Sequence, residues 1–224
     1  MIKEAIAYIT NLAVQAEKPE VLEINGRTYC TKNMTRYDKA DDELREHMII
    51  QVVSATEVRM YSGLLDERDR EELFVVNALL PRFEFGQQYD QESFIVSLQS
   101  CFQNNGDREA VAMLASNIVN NQQQEYSDDG ITQQAVIKTG ITTKQAALVP
   151  NPVHLVPYRT FLEVEQPASD FVFRISEGRG GEPVFKLVAA DGGLWKAEAV
   201  DNIKKYLEDA LEGIENREQI TIIA

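Results

Sequence analysis

The spacing of apolar and polar residues along this chain changes period many times, and each change marks a predicted element. Ile2, Ile6, Ile9, Leu12, Ala13 and Ala16 recur at helical spacing, which predicts an amphipathic helix over 2–17, ended by Pro19. Val21 to Ile24 and Arg27 to Thr31 flank Asn25-Gly26, a pair suited to a tight type I′ turn, so a hairpin is predicted. The polar stretch Thr31 to Glu46 reads as irregular, with room for a helical turn at Asp41 to Glu46. Met48 to Val53, Glu57 to Tyr61 and Leu73 to Leu79 are β-rich runs and predict a three-stranded meander. Between the last two, charged Leu65 to Glu72 reads as a loop or short helix.

Asp90 is a good N-cap for a helix whose apolar face is Phe94, Ile95, Leu98, Cys101 and Phe102. Asn104-Asn105-Gly106 stops it, and Asp107 is predicted to cap a second helix burying Val111, Leu114, Ala115 and Ile118. The short loop between them predicts that the two helices pack on each other or on a sheet. The polar tract 120–124 reads as a hinge or a strand start. Asp128-Asp129-Gly130 is a turn, and Ile131 to Gly140 alternates loosely, as in a long hairpin.

Val149 to Ile175 is the densest stretch in aromatic residues and proline. Pro150, Pro152 and Pro157 each fix φ and push the preceding residue towards extended geometry, so Val149 to Val156 should be stiff and extended. Tyr158, Thr160, Leu162 and Val164 then alternate with Arg159, Phe161, Glu163 and Glu165, a period of two that predicts a strand. Gln166 to Asp170 reads as a turn, and Phe171, Phe173 and Ile175 share one side of a second strand. The two strands are predicted to pair antiparallel, with the prolines at an edge or entry position. Further on, Glu177 to Glu182 and Ala190 to Gly193 are turns around a strand at Val184 to Val188. Ala197 to Leu211 has a clear helical face, with Gly213 as its stop, and the sequence ends on the strand-like QITIIA. The expected fold is α+β: mainly antiparallel sheets flanked by four or so helices. It forms a single domain over 1–224, or two lobes of about 1–120 and 121–224 with a hinge near 120–130.

Composition narrows the function classes. The 224 residues can bury a sizeable core without staples. Cys30 and Cys101 are too few for a disulfide framework and fit reduced thiols, so a cytoplasmic setting is expected. No stretch approaches the roughly 20 apolar residues of a membrane span, and the first 18 residues lack the apolar core of a signal peptide. The net charge of −14 argues against tracking phosphates and hence against direct nucleic-acid binding. It leaves open nucleic-acid mimicry or simple solubility, the latter favoured by interleaved charges such as DERDREEL.

Candidate chemistry is sparse. His47 and His154 are the only histidines and lack partners at ligand spacing, so no metal site is expected. Cys101 lies on an apolar helix face and Cys30 in a strand, which speaks against Cys–His catalysis. Glu163, Glu165, Asp170 and Glu182 with Lys186 imitate a nuclease carboxylate–lysine cluster, but Glu182 and Lys186 have the wrong spacing, with Pro183 between. EGRGGE is Gly-rich and carries an arginine, yet lacks the lysine and following helix of a phosphate loop; a hairpin turn is the better reading. Trp195 reads as an anchor between helix and sheet, or as a stacking platform. Tyr158, Arg159, Arg174 and Trp195 together form a candidate lining for a small anionic pocket.

Several runs resemble one family, the YfdQ-like phage- and prophage-encoded domains of unknown function. The likeness lies in Tyr158-Arg159-Thr160-Phe161, in Glu163-x-Glu165-Gln166-Pro167 and in Phe173-Arg174. It extends to the SDDG turn before an alternating strand and to the helix Gln91 to Phe102 after FEFGQQYD. The resemblance implies a bacteriophage origin and carries no activity with it. The function expected is that of a non-enzymatic binding protein, which inhibits a host anti-phage defence component or sequesters a small nucleotide. The alternative is a metal-dependent nuclease or hydrolase using the carboxylates of 150–190. No cofactor is expected. The expected partners are a host or phage protein and a second copy, paired through the terminal strand, with a small anionic ligand as a further candidate.

Overall fold

The structure is a computed structural model that describes residues 21–24, 27–31, 47–64, 68, 70, 72–118, 133–138, 144–214 and 217–224. The protein is α+β, rich in antiparallel sheet, with three helices among the described residues. Four or so were expected; the helix predicted over 2–17 lies outside the described residues, as do the tract 120–124 and the turn at 128–130. No described helix is long and apolar enough to cross a membrane. The chain forms two compact units drawn from interleaved stretches.

The first unit takes Met1–Leu80, Arg159–Gln166 and Lys196–Ala224. Its centre is a six-stranded sheet. In chain order the strands are β1 (Val21–Ile24), β2 (Arg27–Thr31), β3 (Met48–Ser54), β4 (Glu57–Tyr61), β5 (Glu72–Asn77) and β11 (Ile220–Ile223). Their spatial order is β1-β2-β5-β4-β3-β11. The two strands of the predicted hairpin are present and pair antiparallel, with Ile24 opposite Arg27; the turn at 25–26 lies outside the described residues. The meander is also present, with β3, β4 and β5 paired antiparallel. The terminal strand β11 lies at one end of the sheet and runs parallel to β3, a departure from the otherwise antiparallel pattern. Alternation puts Ile50, Val52, Val58, Met60 and Val76 on one buried face. Ile203, Leu207 and Leu211 of a long helix pack into the same core. On the other face Arg59 bridges Glu57 and, at 2.9 Å, Glu72. The hydrogen bond to Glu57 comes first among the causes that raise the Arg59 pKa above its ordinary value.

The second unit takes Pro81–Tyr158 and Pro167–Trp195. Helix α1 (Gln91–Cys101) begins at the predicted cap: Asp90 accepts hydrogen bonds from the Ser93 amide at 2.8 Å and from its hydroxyl at 2.7 Å. The first of these holds the Asp90 carboxyl below its ordinary pKa. Helix α2 (Gly106–Asn117) starts earlier than predicted; Asn105, not Asp107, is its N-cap, accepting from the Arg108 amide. The Asp107 carboxylate instead accepts from the His154 amide at 2.7 Å. Strands β6 (Gln133–Lys138) and β7 (Lys144–Val149) form a hairpin. Strands β8 (Val153–Leu155), β9 (Ser169–Glu177) and β10 (Pro183–Ala189) form a sheet in the order β10-β9-β8.

The α1–α2 pair and this sheet enclose an aromatic core. Phe94 stacks on Phe173 and on Phe185 with ring centres 5.6 and 5.1 Å apart, and Phe85 stacks on Phe171 at 5.1 Å. The segment before α1 runs along β10, with Tyr89 and Phe185 exchanging backbone hydrogen bonds and the Gly86 amide donating to Leu187. The third helix, α3 (Trp195–Leu211), begins two residues before the predicted start.

Candidate functional site

The stretch after Pro157 holds the main departure from the predicted fold. Residues 158–165 alternate as a strand would, yet form none; β9 pairs instead with β8 and β10. The predicted turn at Gln166 to Asp170 is likewise displaced, since β9 already begins at Ser169. Arg159 to Gln166 is an irregular loop of the first unit, and the cause is the Gln166 side chain. Its Oε1 accepts from the amides of Arg159 at 2.9 Å and Thr160 at 3.1 Å. Its Nε2 donates to the carbonyls of Phe161 at 2.8 Å and Val164 at 3.1 Å, with Thr160 O at 3.4 Å. Both neighbours of Oε1 are donors and all those of Nε2 are acceptors, so only this amide orientation satisfies the site. One buried side chain thus supplies what a neighbouring strand would have supplied.

Other contacts fix the loop further. Thr160 Oγ1 donates to the Ala55 carbonyl at 2.6 Å. Phe161 and Val164 enter the core of the first unit. The Val164 amide donates to Phe161 O at 3.0 Å, closing a turn, and Asn202 of α3 donates to Glu165 O at 3.2 Å. Phe161 is fully buried, whereas Leu162, next to it, is 50% exposed. The loop therefore combines a fixed backbone with an outward apolar side chain.

The four residues proposed for an anionic pocket fall in both units. Arg159 belongs to the loop and is nearly buried, at 8% exposure. Tyr158, Arg174 and Trp195 belong to the second unit. The Tyr158 amide donates to Cys101 O. Arg174 stands on β9 directly opposite Lys186 of β10, a pairing of like charges across the strands. Trp195, half-buried, opens α3 just after Gly192 and Gly193, both at positive φ. Asp191 braces that turn, accepting from the Gly193 amide at 3.0 Å and from the Ser169 hydroxyl.

The acids of the nuclease reading are also divided. Glu163 and Glu165 lie on the loop of the first unit; Asp170, Glu182 and Lys186 lie in the second. Asp170 faces His154 at 3.0 Å on the exposed side of the sheet. Glu182 folds back over its own hairpin turn. A Cβ at Gly178 would come within 2.3 Å of its carboxylate, and one at Gly180 within 2.6 Å. That contact, with Gly181 at φ +85°, explains the glycines of EGRGGE as a turn packed around a carboxylate. Among the described residues, no three His, Cys, Asp or Glu side chains are grouped so as to hold a metal ion. Cys101 is buried, as its place on the apolar face of α1 implies.

Sequence reasoning passed over Gln166 and Thr160. The available signal was a polar amide just before a proline, at the end of a run with aromatic and apolar anchors. Comparison with protein-family models, with curated proteins and with solved structures finds no match.

Proposed function

We propose that this chain is a phage-encoded binding protein that acts without a reaction of its own. It would block a host component of anti-phage defence or sequester a small nucleotide. The observation that carries this reading is the loop Arg159 to Gln166, an irregular surface segment held in one shape from within. A surface already ordered before association loses little conformational entropy on binding. The net charge of −14 adds long-range attraction to a basic partner. The phage origin rests on the resemblance at Tyr158 to Pro167. Self-association has support from β11, which ends the sheet and carries no charge, proline or bulge along Ile220–Ile223.

The test uses the intact protein as bait in a lysate of infected bacteria, beside calorimetric titration with nucleotides. The expected result is stoichiometric capture of one host or phage protein, or saturable uptake of one nucleotide. Failure of both, with cleavage of DNA or RNA when Mg²⁺ or Mn²⁺ is added, would replace this reading with the nuclease one. Light scattering over a concentration series tests the edge strand, and a monomer throughout would remove self-association.

A further inference from the structure

Leu162 stands at the apex of the braced loop and takes no part in bracing it. With the Val164 amide bonded to Phe161 O, Leu162 and Glu163 are the two central residues of a turn. Such corners favour Pro, Gly, Asn, Asp and Ser, whose backbone or side chains suit the bend. Leucine brings none of these advantages, and at 50% exposure it brings no burial comparable to that of Phe161 or Val164. A serine would serve the turn as well and leave less apolar surface in water. Positions that depart from local preference without a packing gain are where function tends to sit. A single exposed leucine on a helix or strand would need no explanation. This one is set on a loop whose amides and carbonyls are held by Gln166, so its position is fixed before any partner arrives.

The surroundings indicate what kind of partner fits. Glu165, three residues on, is exposed. Asn202, which holds the Glu165 carbonyl, adjoins exposed Asp201 and shares a helix face with exposed Glu198 and exposed Lys205, so carboxylates outnumber cations here by three to one. An anionic nucleotide would meet carboxylates here; a basic rim would be attracted.

We propose that Leu162 is the anchor of a protein-recognition loop, and that its partner is a folded protein offering an apolar pocket with a basic rim. This rests on the binding-protein reading and selects a protein over a nucleotide as the target.

The experiment places a photo-reactive amino acid at position 162 of the full chain, and separately at Met113, an exposed apolar position on α2. Both are irradiated in infected bacterial cells. The captured protein is then purified and titrated with wild-type chain, Leu162→Asp and Met113→Asp. The expected result is one adduct protein from position 162 and none from 113, with affinity about thirtyfold weaker for Leu162→Asp and unchanged for Met113→Asp. Gln166→Ala, which keeps the leucine but loosens its support, should also weaken binding. An unchanged melting temperature for Leu162→Asp separates lost recognition from lost folding. A specific adduct from 113 with none from 162 overturns the assignment and leaves the binding reading standing. No adduct from either position, together with no capture by the bait, overturns both.

Discussion

Two neighbouring stretches, Tyr158 to Glu165 and Ser169 to Glu177, carry similar alternation and reach opposite outcomes. The second is a strand, with Phe171, Phe173 and Ile175 buried and a partner on each side. The first is a loop closed around one glutamine. The difference lies in where the backbone hydrogen bonds go. Alternation says which side chains want burial, and a strand additionally needs a neighbour to take its amides and carbonyls. In 158–165 the Gln166 amide takes five of those groups, and Pro157 and Pro167 bracket the segment. Burial alone is thus a poor witness to strand formation where a polar side chain can stand in for a ladder.

Breaking the strand side should have the largest effect. Phe173→Ala removes a fully buried ring from the stack with Phe94, and a loss of about 3–5 kcal/mol is expected by denaturant titration. On the loop side, Gln166→Ala removes the acceptor of the Arg159 and Thr160 amides and a donor to the Thr160, Phe161 and Val164 carbonyls, of which Phe161 O keeps the Val164 amide; about 3 kcal/mol is expected, with water offsetting part. Gln166→Glu sharpens the contrast, because it keeps the acceptor and sets a charge against the Thr160, Phe161 and Val164 carbonyls. It should destabilise at least as much at neutral pH, where a purely space-filling glutamine would tolerate it. Thr160→Val, which loses the hydroxyl bond to Ala55 O, should cost about 1 kcal/mol.

An effect as small as that of Thr160→Val belongs to the cap of the helix that covers β9. Asp90→Ala should lose about 1 kcal/mol. The Asp90 carboxyl is held below its ordinary value of 3.8, so its extra stabilisation is present above that value. It is lost as pH falls through the lower folded value. Wild type and Asp90→Asn should therefore converge in stability on acidification through that range; a constant gap would assign the difference to something other than charge.

Much of the architecture was legible because local chemistry and global placement agree. The β1–β2 pairing, the meander, the Asp90 cap and the apolar faces of α1 and α3 all follow from nearby residues. Long-range choices were less legible. The parallel pairing of β11 with β3 depends on a partner far along the chain, and nothing in Ile220–Ile223 encodes it. The Asn105 cap was passed over because Asp107 offers the same chemistry two residues later, and the choice turns on His154, which uses Asp107. The proposed division near 120–130 falls on residues outside those described. Of the candidate pocket, Tyr158, Arg159, Arg174 and Trp195 were chosen for chemistry alone. The fold divides them between two units, and the loop that holds Arg159 owes its shape to an amide that carries no reactive signature.

The central claim is that the Gln166 amide, and not a neighbouring strand, holds residues 159–166. Amide hydrogen exchange on wild type and Gln166→Ala tests this most directly. The account predicts slow exchange for the Arg159 and Thr160 amides in the wild type and its loss in the variant, while the amides of Phe171, Phe173 and Ile175 stay protected. Fast exchange at Arg159 and Thr160 in the wild type, or protection there that survives removal of the side chain, would contradict it.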